Sequence, residues 1–416
     1  MERIVAPSKV SGSVKAPSSK SMSQRAIAAG VLATGETTII NPSYCDDSLA
    51  AMGIAVGLGA KVVPGNEELK ITGTGNLKET HLNCGESGLA IRMFSPIAAL
   101  FPVEITMTGS GSLRKRPMTM IEDALKQFGV SCTTTDGTLP ISIKGPLKGG
   151  RCTIDGSVSS QLLTGLLMAL PVAEHDSVIK VKDLKSKPYI DMTIQVLEKF
   201  GIKVENTGHE IFHIKGNQKY NACRFVVESD WSGGAFLLVA GAINGSLTVQ
   251  GLRPDSRQSD KGILTALDKS GARFSIQDNQ IEVSSAALKA FEFDATESPD
   301  LFPPLVALAA YCKGVTGIKG VKRLVHKESN RALALVEEFG KLGIKVEIND
   351  DYMLITGGKV TGTRVSSHDD HRIAMATAVA ALKADGRVYI KDSHCIGKSY
   401  PGFFDDLRNI GAEVYE

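Results

Sequence analysis

The sequence predicts an α/β protein of two similar domains. Each is built from three repeats of roughly 70 residues, with two helices and a four-stranded sheet per repeat, buried helices inside and sheets outside. Three observations predict this. A short phrase recurs along the whole chain at near-constant spacing. Alternate helical segments are apolar on nearly every face. A chain of 416 residues is too long for one core.

The phrase is a Gly, then a small or β-branched residue, then a strand. It reads GLGAKV at Gly57–Val62, QFGVSC at Gln127–Cys132 and KFGIKV at Lys199–Val204. It returns as KSGARF at Lys269–Phe274, KLGIKV at Lys341–Val346 and NIGAEV at Asn409–Val414. The aligned glycines are 59, 129, 201, 271, 343 and 411, spaced by 70, 72, 70, 72 and 68 residues. Each glycine closes an amphipathic helix. Ile190–Phe200 and Arg331–Leu342 carry apolar residues at i, i+3, i+4, i+7. Gly is the residue expected just past a helix end, and a β-branched strand follows it.

The second helix of each repeat is rich in Ala, Leu and Gly all round, the mark of a buried helix. These helices are expected at Ser21–Leu32, Ser87–Leu100, Ser159–Leu170, Ser232–Ile243, Asp300–Tyr311 and Asp370–Leu382. Strands follow them at Glu36–Ile40, Val103–Met107, Ser177–Val181, Ser246–Val249 and Arg387–Ile390. The midpoint of the six repeats falls near Cys223–Val227, which places the first domain at 19–226.

Composition narrows the function. Lys and Arg total 47 against 45 Asp and Glu, a net charge of +2, which disfavours nucleic acid as a partner. No apolar run approaches the roughly 18 residues of a membrane span. MERIVAPSKVSG has no apolar core of a secretory signal. The seven cysteines are odd in number, scattered and without a CxxC pair, so reduced thiols and a cytoplasmic protein are expected.

The chemistry-bearing residues gather where the buried helices begin. Ser18-Ser19-Lys20-Ser21 with Arg25, Gly85-Glu86-Ser87-Gly88 with Arg92, and Ser157, Ser159, Ser160 with Gln161 mark the first three. Glu297-Ser298-Pro299-Asp300 and Asp369-Asp370-His371-Arg372 mark the fifth and sixth. Capping explains Ser and Asp at such places. It does not explain Lys20 with Arg25, or His371 with Arg372, because cations at a helix start are unfavourable unless an anion answers them. A polyanionic small molecule is therefore the expected ligand. Further cations stand at Arg114-Lys115-Arg116, Lys185-Ser186-Lys187, Arg323 with His326-Lys327, Arg331 and Lys398. No phosphate-binding GxxxxGK[ST], no GxGxxG after a strand and no GxSxG elbow occurs. His368-Asp369-Asp370-His371 suggests a metal cluster only weakly, since a helix start explains its carboxylates. No metal and no cofactor are expected.

At these residues the chain resembles the 5-enolpyruvylshikimate-3-phosphate synthases, within the enolpyruvyl transferases. The resemblance is carried by PSSKSMSQR (Pro17–Arg25), ESGLAIR (Glu86–Arg92), LRKRPM (Leu113–Met118), DGSVSSQ (Asp155–Gln161) and SKPYID (Ser186–Asp191). ESPD (Glu297–Asp300), HKESNR (His326–Arg331), DDHR (Asp369–Arg372) and KSYPGFFDDL (Lys398–Leu407) complete it. It implies the enolpyruvyl transferase fold, with residues 1–18 joining 227–416 in the second domain. It implies transfer of the enolpyruvyl group of phosphoenolpyruvate to the 5-hydroxyl of shikimate 3-phosphate, with phosphate released through a tetrahedral intermediate. Holding two phosphates and two carboxylates calls for convergent cations, and moving two protons calls for acid/base groups.

By resemblance, Lys20, Ser21, Arg25, Ser159, Ser160, Gln161, Ser186, Tyr189, Asp300 and Lys327 take shikimate 3-phosphate. Lys20, Gly88, Arg116, Gln161, Arg331, Arg372 and Lys398 take phosphoenolpyruvate. Asp300, Glu328 and Lys20 are the catalytic groups, Asp300 accepting the 5-hydroxyl proton. A monomer is expected, and the anions of shikimate 3-phosphate, answered by cations from both halves, are expected to draw those halves together. Two departures stand out. Glu86-Ser87-Gly88-Leu89 replaces the Asn-Ala-Gly-Thr common in relatives, and Arg323 stands where Asn is common. The sister transferases acting on UDP-N-acetylglucosamine use a loop Cys, but TGSGSLRKRPM holds none. A six-repeat DNA clamp would need a positive lining that a net +2 does not supply.

Overall fold

The computed structural model describes residues 1–416 and divides them into two compact units. A continuous unit spans Ser18–Val227, and a split unit joins Met1–Pro17 to Glu228–Glu416. The boundaries lie one residue from the expected ones, for a local reason. The Pro17 carbonyl accepts from the Asp230 N–H (2.7 Å), which keeps Pro17 in the split unit. The Val227 N–H donates to the Ile40 carbonyl (2.9 Å), which keeps Val227 in the continuous one.

All six repeats share one plan. An edge strand pairs parallel with a second strand, which pairs antiparallel with a third, which pairs antiparallel with a fourth; in the first five repeats the last two strands form a hairpin. The second repeat shows it plainly. His81–Asn83 runs parallel to Glu104–Thr108, Thr138–Lys144 runs antiparallel to that, and Ser131–Thr135 forms the outer edge. A parallel pair needs a crossover, and the buried helix Gly88–Ala98 provides it. Between the second strand and the hairpin lies the amphipathic helix Thr119–Gln127, which shows the core only Ile121, Ala124 and Leu125.

The recurrent glycine works as expected. All six have positive φ, from 76° to 97°. At each, the Gly N–H donates to a carbonyl three residues back and the next N–H to one five residues back. Gly129 N–H to Lys126 and Val130 N–H to Leu125 are examples, at 2.9 and 3.1 Å. This is the Schellman closure, in which a residue with a Cβ would sit in a strained left-handed conformation.

The buried helices run over Lys20–Leu32, Gly88–Ala98 and Gln161–Ala169 in the continuous unit. In the split unit they are Trp231–Asn244, Phe302–Ala309 and His371–Ala381. Every residue of Gly88–Ala98 and of His371–Ala381 is buried. Each unit has its own apolar core around its three helices.

Two expectations need correction. Asp300 does not begin a helix: it lies in the 3-10 turn Pro299–Leu301, because Pro303 and Pro304 in the first turn of Phe302–Ala309 set where that helix starts. The sheet of the first repeat has five strands, because its parallel edge is broken at Ala222–Cys223 into Tyr220–Asn221 and Arg224–Val226, both paired with Ala33–Ile40. That edge comes from the end of the continuous unit. The corresponding edge of the fourth repeat, Val10–Lys15, comes from the start of the chain and pairs with Gly245–Gln250. Glu2–Val5 sits inside the sixth repeat's sheet, between Val388–Lys391 and Val414–Tyr415.

Candidate active site

In the continuous unit the polar residues collect at the starts of the three buried helices. Ser19 caps Lys20–Leu32, its hydroxyl accepting from the Met22 N–H at 3.4 Å. Lys20 Nζ pairs with Asp47 Oδ2 at 2.9 Å, so a carboxylate of the chain answers that cation. Arg25 lies one turn further on and is 1% exposed. Its Nε donates to Thr193 Oγ1 (2.9 Å) and Nη1 to the Ser21 carbonyl (2.9 Å). Nη2 donates to Thr164 Oγ1 (3.3 Å) and to the Tyr189 carbonyl (3.4 Å). All four acceptors are neutral. Burial lowers the guanidinium to about 10, against the opposing effect of Tyr189, so Arg25 stays charged at neutral pH. A buried cation held only by hydroxyls and carbonyls is positioned without being neutralised, which suits an anion site.

A second group forms around Gly88, whose helix is capped by the Ser87 hydroxyl accepting from the Ala90 N–H at 3.2 Å. Arg92 Nη1 donates to the Gly88 carbonyl (3.3 Å) and to Gln161 Oε1 (3.0 Å), and Nη2 to the Pro117 carbonyl (3.3 Å). A Cβ on residue 88 would lie 2.5 Å from Arg116 Nη1 and 3.0 Å from Arg92 Nη1. Only glycine lets both arginines reach this helix start. Ser159 Oγ accepts from the Gln161 N–H at 3.2 Å, and Ser160 is buried at the N-cap of Gln161–Ala169. Ser186 is buried at the N-cap of Lys187–Lys199, with φ of 57°. Arg114 and Lys115 are exposed while Arg116 is buried, so one member of that cluster belongs to the group.

In the split unit the centre is Asp300. Its Oδ1 accepts from Arg331 Nη1 (2.9 Å) and Lys327 Nζ (3.3 Å), and its Oδ2 from Arg372 Nη2 (3.1 Å). Burial alone would raise its pKa, but Arg372, Lys327 and Arg331 together hold it well below the usual carboxylate range. Arg331 is fully buried. It donates to both oxygens of Asp370 (3.0 and 3.2 Å), to Glu328 Oε2 (2.6 Å) and to Asp300. Burial pushes the Lys327 ammonium down. Asp370 also caps the last buried helix, accepting from the Arg372 N–H at 3.0 Å. Lys398 Nζ donates to the Asp369 carbonyl at 2.7 Å.

The turn before that helix is set by Glu338, which is buried. It accepts from the Ser366 N–H (2.9 Å) and Lys341 Nζ (2.9 Å), and bonds His368 Nε2 (2.6 Å). Thus His368 turns to Glu338 and Asp370 to Arg331, and His368–His371 do not converge on one point. Glu337, Glu338 and His368 do bring ligand atoms within 4.8 Å of one another, but the Lys341 ammonium already sits on Glu338.

Sequence reading gave no role to five groups. Asp47, Thr164 and Thr193 carry no local signal, since a Thr in a helix is commonplace. Arg92 and Asp370 stood inside recognised strings and were not assigned. All seven cysteines are free, and burial pushes Cys132, Cys152, Cys312 and Cys395 up to about 12, far from a reactive thiolate.

Comparison with solved structures gives the class. An EPSP synthase of Acinetobacter baumannii superposes with a TM-score of 0.84 at 28% identity over 100% of both chains. The enolpyruvyl transferase NikO of Streptomyces tendae superposes at 0.81 over 100% of this chain and 98% of its own, at 20% identity, a likeness of fold. The fold is that of the enolpyruvyl transferases. The model of the EPSP synthase family (3-phosphoshikimate 1-carboxyvinyltransferase) matches residues 4–407. The 3-phosphoshikimate 1-carboxyvinyltransferase of Clostridium kluyveri is 39% identical over 99% of this chain and 97% of its own length. That of Methanocorpusculum labreanum is 38% identical over 100% of both. The chain belongs to the EPSP synthase family, a family of transferases.

Proposed function

We propose that the chain transfers the enolpyruvyl group of phosphoenolpyruvate to the 5-hydroxyl of shikimate 3-phosphate, with the residue roles that the resemblance implies. In the continuous unit, Lys20, Ser21, Arg25, Ser159, Ser160, Gln161, Ser186 and Tyr189 take shikimate 3-phosphate. Lys20, Gly88, Arg116 and Gln161 serve phosphoenolpyruvate. In the split unit, Arg331, Arg372 and Lys398 serve phosphoenolpyruvate, while Asp300 and Lys327 serve the acceptor.

The reaction needs three proton movements. Asp300 takes the proton of the 5-hydroxyl as its oxygen bonds to C2 of the enolpyruvyl group, whose methylene carbon gains a proton. The tetrahedral intermediate then loses a proton from that methyl, the C–O bond to phosphate breaks and the double bond re-forms. Glu328 is assigned the proton exchange at carbon. Lys20 offsets charge at the reacting phosphate.

The observation that carries this reading is the surrounding of Asp300 by Lys327, Arg331 and Arg372 at 2.9–3.3 Å. With those cations on it, the carboxylate is a weak base. An anion that draws Arg372 and Arg331 towards itself relieves Asp300 and raises its basicity, so substrate binding prepares the base. The free thiols, six of them buried, support a reducing cytoplasm, and we take the enzyme to be a monomer.

Phosphate release from phosphoenolpyruvate tests the function. Release with shikimate 3-phosphate, none with UDP-N-acetylglucosamine, and loss in Asp300→Ala and Lys20→Met are expected. Release with the sugar nucleotide alone would refute the acceptor.

A further inference from the structure

The turn Gly85–Gly88 and the loop before Arg116 are tied together by one carboxylate. Glu86 Oε2 accepts from the Ser112 N–H at 3.1 Å and from the Ser112 hydroxyl at 3.3 Å. Ser112 lies in the 3-10 turn Gly111–Lys115, where N–H groups are not yet used by the helix. The backbone is shaped to receive it. Gly111 has φ of 51°, and a Cβ there would fall 2.2 Å from the Glu86 carboxyl carbon, so any other residue at 111 would expel the side chain. A backbone bond from the Ser110 N–H to the Gly85 carbonyl (2.7 Å) runs beside it. The 3-10 turn ends with the Arg116 N–H on the Leu113 carbonyl (3.2 Å), Leu113 is fully buried, and the Arg116 side chain arrives at Gly88.

We propose that Glu86 is a positioning residue for Arg116. It locks the Ser110–Lys115 loop onto the start of the Gly88–Ala98 helix, so that the Arg116 guanidinium meets the anion without rearrangement. A loop that must be ordered at each binding event weakens affinity. A preset arginine gives geometry as well as charge. This rests on the assignment of Arg116 to phosphoenolpyruvate.

The test compares Glu86→Ala, Ser112→Ala and Glu86→Gln with the parent enzyme. Gln retains a side-chain oxygen for Ser112, so Glu86→Gln should stay within threefold of the parent. Glu86→Ala should raise the KM for phosphoenolpyruvate about tenfold, with kcat and the KM for shikimate 3-phosphate within threefold. Ser112→Ala, which keeps the N–H contact, should fall between. Hydrogen exchange of the peptide holding residues 109–116 should quicken in Glu86→Ala with no substrate present. That readout holds whatever the enzyme's substrate is. Faster exchange with an unchanged KM would show that Arg116 is misassigned. Unchanged exchange in Glu86→Ala would overturn the tie itself, and equal losses for both substrates would reduce Glu86 to a structural role.

Discussion

Thr193→Val exchanges one hydroxyl for a methyl of nearly the same volume and leaves the fold's apolar packing in place. Thr193 is fully buried. Its Oγ1 accepts from Arg25 Nε at 2.9 Å and donates to the Tyr189 carbonyl at 2.8 Å, with Thr164 Oγ1 at 3.0 Å. Valine removes the acceptor from a guanidinium that has only neutral partners. A buried hydrogen bond to a charged group is worth about 1.5–3 kcal/mol. The same range in ligand affinity is roughly 10- to 150-fold. The assay is steady-state kinetics with each substrate varied in turn, beside a thermal melt. The KM for shikimate 3-phosphate should rise at least tenfold and the melting temperature should drop by several degrees. Thr193→Ser, which restores the hydroxyl, should recover both. A lowered melting temperature with an unchanged KM for shikimate 3-phosphate would refute the reasoning, because Arg25 would then be a structural cation and not the phosphate ligand.

Three further outcomes follow from the geometry. Gly88→Ala places a methyl 2.5 Å from Arg116 Nη1 and should raise the KM for phosphoenolpyruvate well above that for shikimate 3-phosphate; equal changes in both would contradict it. Asp370→Asn removes the charge that answers Arg331 on two N–H groups, and should cost about 3 kcal/mol of stability and most of the activity, read by urea unfolding and turnover. Asp260, 1% exposed, is raised from 3.8 to about 6, first by burial and then by Asp300, and the Ser232 hydroxyl is bonded to it. The folded chain therefore keeps a proton that the unfolded chain has released, so stability falls as pH rises from about 4 to 6 and the loss is complete above that. Asp260→Asn should be more stable than the parent at pH 7.5, by at most on the order of 3 kcal/mol, and equal to it near pH 4. An unfolding midpoint lowered at both pH values would count against this.

Much of the architecture was legible because each repeat states its own boundaries. The Gly after each amphipathic helix, and the Ser or Asp before most buried ones, are local signals with local causes. Asp300, Arg331 and Arg372 were legible only as strings, and the string around Asp300 misplaced it at a helix start. Its function as a hub of three cations depends on helix starts from separate repeats, which no local pattern encodes. Thr164, Thr193 and Asp47 were invisible for the same reason, since their importance lies in what faces them. The origin of the parallel edge strands was equally hidden. A strand of two to six residues does not declare its partner, and parallel pairing is by nature non-local.

Those edge strands have a consequence for synthesis. Val10–Lys15 leads by sequence into the helix Lys20–Leu32 of the continuous unit, yet it completes a sheet of the split unit. Tyr220–Val226 leads into Trp231–Asn244, yet it completes a sheet of the continuous unit. On the ribosome the continuous unit has every strand it needs once residue 227 has emerged, and it can fold while the rest is being made. The first residues must wait. Glu2–Val5 pairs with Val388–Lys391 and Val414–Tyr415, so this strand finds its neighbours only after residues 388–415 have been made. For that interval it is a strand without neighbours, followed by the proline-broken stretch from Ala6 to Lys9, where Pro7 has no N–H to give a longer wrong pairing.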